Sequence, residues 1–230
     1  MKEDPFSILA DPRVEGVLRR LHDEADAQMP GLLWHYLPKL PKMLLGGRLD
    51  FSEADGFYAD KFIALERHQA AFCYLAAISI KARTIVEFGS SLGVSTIWLA
   101  AAARAAGNGK VIGTELVPEK AERARAHIEE AGLSGFAEIR TGDARETLSD
   151  LNGEVDLFLN DGFPDLALEM LGLLTPRLRP GAVVITDNVG TFRGNYREYQ
   201  AFLRESRNGF MTTTLPFKSG TEYSVRQQLA

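Results

Sequence analysis

From Thr84 onward the hydrophobic pattern alternates between short apolar runs and longer amphipathic or alanine-rich stretches. Short runs bounded by turn residues read as buried strands, and the longer stretches read as helices. Strands are expected over residues 84–86, 110–115, 136–141, 155–159 and 182–186. Helices are expected over 96–106, 118–131, 166–178 and 195–206, with a short one after Gly142-Asp143-Ala144. Pro118 takes a favoured early helical position, and Gly132 ends that helix. Pro180-Gly181 is expected to end the helix before the fifth strand. Residues 209–216 and 222–228 have no helix between them and read as an antiparallel hairpin. The alternation predicts an α/β fold: a doubly wound, seven-stranded, mostly parallel sheet with right-handed crossovers and one reversed strand.

The chain before this alternation is less regular. Residues 11–26 read as a helix with Val14, Val17, Leu18 and Leu21 on one face. Residues 29–41 carry three prolines, which predicts loop or short helical turns. Trp34, His35 and Tyr36 make this segment a candidate lid over a substrate pocket, or a strap that packs the extension onto the domain. Residues 58–80 read as one long helix with Phe62, Leu65, Phe72, Leu75 and Ala76 facing inward. The expected organisation is an N-terminal helical extension, 1–57, and one α/β domain, 58–230.

Composition narrows the functional classes. The 230 residues are 45% hydrophobic and 25% charged, which suits a single domain of this length. A net charge of -5 argues against a nucleic-acid partner. The single cysteine, Cys73, excludes an internal disulfide and a cysteine-rich metal site. No apolar run is long enough to span a bilayer, and residues 1–6 lack the apolar core of a secretory leader. The expectation is a cytoplasmic protein with no membrane partner.

The chemistry concentrates after the first strand. Glu87, Gly89 and Gly93 form the pattern E-x-G-x-x-x-G, opening a helix. It is neither G-x-G-x-x-G nor a P-loop, since no lysine follows the second glycine. Glycines there would let a ligand approach the backbone and the helix N-terminus. A carboxylate beside such a turn repels a pyrophosphate but suits a cationic, hydroxyl-rich ligand such as S-adenosylmethionine. A structural strand–helix turn is the alternative. Further acids end the following strands: Glu115, Asp143, Asp161, and Asp187 with Asn188. Ligands of such sheets bind at that edge. Glu115 could accept both ribose hydroxyls, of this nucleotide or of NAD. Asp143 and Ala144 could hold an adenine. Asp161, Asp187 and Asn188 offer oxygen donors suited to Mg²⁺ with open positions. Each acid could instead cap a helix or shape a turn.

At these residues the sequence resembles the class I S-adenosylmethionine-dependent O-methyltransferases of the catechol and caffeoyl-CoA type, from about Tyr58 to the C-terminus. The motifs that carry the resemblance span residues 86–95, 113–118, 142–144, 159–162 and 186–189. It implies that Glu87, Gly89, Ser91 and Ser95 line the methionine end of the cofactor. It implies Glu115 on the ribose, Asp143 and Ala144 near the adenine, and a divalent metal on Asp161, Asp187 and Asn188. Asp161 would then be the catalytic residue, beside the cofactor as well as on the metal. The resemblance also implies a seven-stranded sheet and often a homodimer. In one place the chain departs from the pattern. The family usually has a lysine base three residues after the first metal aspartate, where this chain has Pro164. His35, His68, Lys218 and Tyr196 are candidate substitutes. The expected reaction is metal-assisted O-methylation of a small hydroxylated molecule. Alternatives are a metal-independent N- or O-methyltransferase, an NAD-binding oxidoreductase, or a non-catalytic nucleotide-binding module.

Overall fold

A strand buried on both faces needs almost unbroken apolar sequence, and the chain meets this condition first at β1 (Thr84–Phe88). In the computed structural model, which describes residues 4–51, 54–107 and 109–228, β1 is a central strand of the sheet. Its parallel neighbours are β2 (Lys110–Glu115) and β4 (Val155–Asn160). Outside β2 lies β3 (Ala137–Thr141), and outside β4 lies β5 (Leu178–Thr186). The hairpin of β6 (Phe210–Leu215) and β7 (Thr221–Arg226) completes the order β3-β2-β1-β4-β5-β7-β6, with β7 antiparallel to β5. This is the predicted seven-stranded sheet.

Helices cover both faces. On one side stand α1 (Pro12–Tyr36), α4 (Arg67–Ser79), α5 (Val94–Ala105) and α6 (Pro118–Glu130), packed on Ile85, Val111, Leu157 and Ile185. On the other stand α7 (Ala144–Thr147), α8 (Ala167–Leu174) and α9 (Arg193–Arg204), packed on Val86, Phe158 and Val184. The alternation of Ile85 with Val86 and of Leu157 with Phe158 sends successive side chains to opposite layers. Two further short helices, α2 (Leu40–Leu44) and α3 (Ala54–Tyr58), belong to the N-terminal segment.

Three of the differences from the sequence reading have a clear physical reason. First, α1 does not stop before Pro30 but continues through it to Tyr36. Tertiary anchors hold the extra turns: Leu32 is buried, and the Gln28 side chain accepts the Phe62 N–H at 2.9 Å. Pro38 and Pro41 open a 3₁₀ turn and α2, where no backbone donor is needed. Second, the expected helix over 58–80 is broken. The Glu66 carboxylate accepts the N–H groups of His68 (2.9 Å) and Gln69 (3.2 Å), so it caps a new helix, α4. Phe62 and Leu65 still reach the core, but from non-helical chain, and Leu75 is half exposed. Third, Pro180-Gly181 lies inside β5 rather than after a helix. The β4–β5 register shifts between Val155 and Leu157, which absorbs the missing donor. The reading of the first residues as lacking a leader falls partly on residues 1–3, outside the described residues. Among the described residues no helix is long and apolar enough to cross a membrane.

The extension docks through one buried aromatic group. Trp98 of α5 is fully buried, stacked on Phe6 with centroids 5.6 Å apart and edge-on to Tyr74 at 6.0 Å. Its indole N–H donates to His22 Nε2 of α1 at 3.2 Å. A buried indole needs such an acceptor. The neutral ring serves, and a protonated one cannot. Burial pushes the His22 pKa down from 6.5 to about 4, with the Arg67 charge adding to the effect and Asp26, Glu66 and Asp23 opposing it.

The folded pKa lies below the unfolded one. The unfolded chain therefore binds the extra proton, and stability falls as pH drops below 6.5. Urea denaturation should show about 2 kcal/mol of this contribution lost between pH 7.5 and pH 5. His22→Gln keeps an acceptor for Trp98 but cannot titrate. An equally steep loss in that variant would remove His22 as the cause.

Candidate active site

The strand β1 delivers Glu87 into the protein interior, where its carboxylate is fully buried. One oxygen, Oε2, accepts the hydroxyls of Ser90 (2.5 Å) and Thr96. The other, Oε1, is buried with no hydrogen-bond partner. Burial raises the Glu87 pKa, and the hydroxyls of Ser90, Ser95 and Thr96 pull against it. After Glu87 the chain turns at Gly89 (φ +93°) and Gly93 (φ +85°), backbone that glycine adopts without strain. The room that the missing Cβ leaves beside these glycines is filled by the chain itself. A Cβ on Gly89 would lie 2.7 Å from Gly162 Cα and 2.8 Å from the Asp161 carbonyl oxygen. One on Gly93 would lie 3.1 Å from Ala124. The glycines let the loop after β1 touch the loop after β4 and the helix α6.

Ser91 follows with φ +48°, unusual for a residue with a side chain. Its N–H donates to Glu115 Oε2 at 2.8 Å, and its own hydroxyl is buried without a partner. Glu115, the last residue of β2, also accepts the Val117 N–H through Oε1 at 2.8 Å, and burial raises its pKa. Each oxygen of Glu115 keeps a lone pair. Asp143 caps α7 by accepting the Arg145 N–H at 2.9 Å. The Arg145 guanidinium bonds the same carboxylate and holds its pKa below the ordinary range. Ala144 is buried beside it. The unpartnered Glu87 Oε1 and Ser91 hydroxyl, with the spare lone pairs of Glu115, fit a ligand rich in ammonium and hydroxyl groups.

The β4–β5 register pairs Asn160 with Thr186, so the next residues, Asp161 and Asp187, leave neighbouring strands side by side. Adjacent strands are about 4.8 Å apart. Asp161 is tied to β1 as well, its N–H donating to the Phe88 carbonyl at 3.0 Å. Burial lifts the Asp161 pKa far above the ordinary carboxylate value, and the charges of Asp187 and Glu87 lift it further. Burial raises Asp187 too, against hydrogen bonds that favour its charged form. Gln69 Nε2 of α4 and Ser219 Oγ each donate to Asp187 Oδ1 at 2.6 Å. Asn188 takes a left-handed turn (φ +65°), which asparagine tolerates. Two crowded carboxylates and an adjacent amide form an all-oxygen donor set that fits a hard divalent cation. Among the described residues no group of three His, Cys, Asp or Glu is placed to hold one. A third donor from the protein would be the Asn188 amide.

An aromatic wall stands over this edge. Phe163, two residues after Asp161, lies 6.2 Å from Phe51 and 5.8 Å from Tyr58. Phe192, four residues after Asn188, lies 5.3 Å from Phe51 and 5.7 Å from Tyr36. Asn195 fastens the N-terminal segment to it: its amide donates to the Leu49 carbonyl (2.8 Å) and to Asp165 (2.7 Å), and its oxygen accepts the Leu49 N–H (3.0 Å). His35 stacks on Phe57 at 3.6 Å and meets Lys39 through Nε2, while Trp34 is 74% exposed and outside the wall.

The suggested substitutes for the missing lysine are scattered. Pro164 is buried at the start of a 3₁₀ turn. Tyr196 is buried near both acids, and burial together with the charges of Asp161 and Asp187 pushes its pKa far up. His68 bonds Glu66 in the first turn of α4. Lys218 lines a cavity of about 890 Å³ beside the loop after β5, with Arg193, Arg197 and Arg204. That cavity borders the loop after Asn188, through Val189, Gly190 and Thr191, not the turn at Glu87. Gln69, Ser219, Asn195, Phe163 and Phe192 carried no signal in the sequence. Their roles come from contacts between distant segments.

A family model described as a methyltransferase domain matches residues 86–189, from β1 to the end of the β5 motif. Residues 86–189 therefore resemble a methyltransferase domain. The domain is 37% identical over 129 residues to a catechol O-methyltransferase of Mycobacterium tuberculosis, covering 55% of this chain and 57% of the relative. It is 34% identical over 131 residues to a catechol O-methyltransferase of Niastella koreensis, covering 55% and 58%. The match thus spans a little over half the length of these relatives. Among solved structures, the methyltransferase fold is shared with the O-methyltransferase from Bacillus cereus in complex with SAH, at TM-score 0.66 and 25% identity, over 76% of this chain and 88% of that one. It is also shared with cofactor-bound Rv0187 from MTB, at TM-score 0.67 and 26% identity, over 84% and 97%. The resemblance read from the strand-tip motifs is borne out.

Gln69 is fully buried, and its amide also donates to Thr221 Oγ1 at 2.7 Å. Gln69→Leu has a similar volume but leaves both acceptors short of a donor. It should destabilise the methyltransferase domain by about 1–3 kcal/mol in urea denaturation. An unchanged midpoint would mean that the Gln69–Asp187 contact carries no weight.

Proposed function

We propose that this chain transfers a methyl group from S-adenosylmethionine to a hydroxyl oxygen of a small molecule, assisted by a divalent cation such as Mg²⁺. The observation that carries the reading is the pairing of Asp161 and Asp187 at neighbouring strand tips, with Glu87 close enough to add its charge. The names of the relatives favour a catechol as the acceptor.

When bound, S-adenosylmethionine supplies an electrophilic methyl group on a sulfonium centre. Glu87 Oε1 and the Ser91 hydroxyl, both buried without partners, would take up polar groups of the methionine end. Glu115 would accept ribose hydroxyls through its free lone pairs, and Asp143 with Ala144 would flank the adenine. Asp161, Asp187 and Asn188 would hold the cation, whose chemistry is to lower the pKa of a substrate hydroxyl and orient it. The aromatic wall of Phe51, Phe163 and Phe192 would close over a planar substrate and keep water out, so that 1–57 acts as a lid. Holding acceptor and donor in line supplies a large share of the rate, about 7–11 kcal/mol at best. Tyr196 keeps its proton at neutral pH, so its hydroxyl can donate a hydrogen bond to the substrate oxygen but does not serve as a base.

Asp187→Asn keeps the shape of the side chain and removes its charge. Methyl transfer to a catechol should fall at least about a hundredfold, while S-adenosylmethionine affinity by calorimetry stays within about threefold. Chelator should act in the same way on the parent protein, and Mg²⁺ should restore it. Glu87→Gln should instead abolish cofactor binding. Full turnover in chelator would leave a metal-independent methyltransferase as the reading, and tighter binding of NAD⁺ than of S-adenosylmethionine would reject both.

A further inference from the structure

The outer face of the N-terminal helical run is apolar and has no partner among the described residues. Leu33, Trp34, Leu37, Leu40, Leu44 and Leu45 are all exposed, Leu44 and Leu45 at 83% and 88%. They recur at near-helical spacing across the end of α1, the 3₁₀ turn and α2. The inner face of the same run joins the aromatic wall through His35 and Tyr36. A soluble domain rarely leaves so many large apolar side chains together in water.

Charge identifies the occupant. From residue 27 to residue 49 there is no Asp or Glu, while Lys39, Lys42 and Arg48 are present, in a chain of net charge -5. The stripe ends at Leu45, and the next residue, Gly46, lines the cavity of about 890 Å³ that holds Arg193, Arg197, Arg204 and Lys218. Arg197 reaches back to the Gly46 carbonyl at 3.1 Å. Arg48 is shared with Asp165 and Glu198, and Arg204 with Glu222. Lys42, Arg193, Arg197 and Lys218 have no carboxylate partner among the described residues.

An apolar stripe with a tryptophan, bordered by unpaired cations, matches a helix that lies in the plane of an anionic bilayer. A second copy of the chain would bring the same cations against one another with no acid in the run to meet them. We infer that this face docks on an anionic lipid surface, with Leu33 to Leu45 in the headgroup boundary and the arginine-lined cavity on the headgroup phosphates. This departs from the expectation of no membrane partner, which rested on net charge and on the lack of a spanning segment. Neither of those sees a local face. The inference does not depend on the proposed reaction. Docking would place the aromatic wall next to the bilayer, where a hydroxylated apolar molecule could be taken up.

Flotation with vesicles tests it. The full chain should float with vesicles of equal parts phosphatidylglycerol and phosphatidylcholine, and at least about tenfold less with phosphatidylcholine alone. The variant Leu44→Glu/Leu45→Glu should lose binding to both, and Arg197→Glu/Lys218→Glu should bind the anionic vesicles more weakly and with less dependence on salt. Thermal melts by circular dichroism establish that both variants are folded. No binding to the anionic vesicles, or binding that Leu44→Glu/Leu45→Glu leaves intact, overturns the inference. So does a dimer in light scattering that the leucine variant dissolves while the parent ignores vesicles, since a second copy then covers the stripe.

Discussion

Carboxylates crowded at the tips of buried strands are the constraint around which this domain is built. Glu87 lies in β1 opposite Leu159, and Asp161 and Asp187 follow the ends of β4 and β5, which the parallel register sets side by side. Each loses hydration, and at Asp161 the charges of Asp187 and Glu87 add to the cost. Part of that cost is met by donors drawn from far along the chain. Ser90 and Thr96 serve Glu87, and Gln69 and Ser219 serve Asp187. The compensation is incomplete, since Glu87 Oε1 has no partner. A structural core would replace such a cluster by apolar side chains. Its presence at one edge marks the place where cationic ligands would finish the balance.

The same loops that carry the acids also carry the cover. Phe163 follows Asp161 closely, and Phe192 follows Asn188, its N–H donating to the Asn188 carbonyl at 2.9 Å. Asn195 binds Leu49 and Asp165 at once, so the N-terminal segment, the loop after β4 and the start of α9 form one unit. Gly194 allows this close approach, because a Cβ there would lie 2.4 Å from the Gly47 backbone.

The sheet was legible in the sequence because strands buried on both faces leave little choice of residue. Strand β2 matches its expected span, and the acid-tipped order of β1, β2, β4 and β5 carried the family resemblance. Helix ends were less legible. Pro30 reads as a stop, but the Gln28–Phe62 bond and the buried Leu32 hold the helix past it. Glu66 is one acid among 31, and its capping role depends on a chain direction that periodicity does not contain. In the site, the acids were visible and their partners were not. Gln69 is 118 residues from Asp187. The glycines read as necessary for ligand approach, and the structure adds close chain packing on their Cβ side. Both uses demand a missing Cβ, and the sequence alone does not separate them.

Pro164 bears on the same balance of charge. A lysine at that position would set a positive charge one helical turn from Asp161. Here the place is held by a buried ring with no donor. Among the described residues near Asp161, Tyr196 stays neutral and Asp187 and Glu87 add negative charge. The domain thus gives up an internal counter-charge that could also remove a proton. If the chain methylates a hydroxyl as proposed, the proton of that hydroxyl has no lysine at this position to receive it. On that reading, acidification of the hydroxyl by a bound cation would carry the larger part of activation, with solvent as the proton acceptor. Without a lysine there, the acids would also hold an external cation against less competition. The absence of the base and a firmer hold on the ion would then both follow from Pro164.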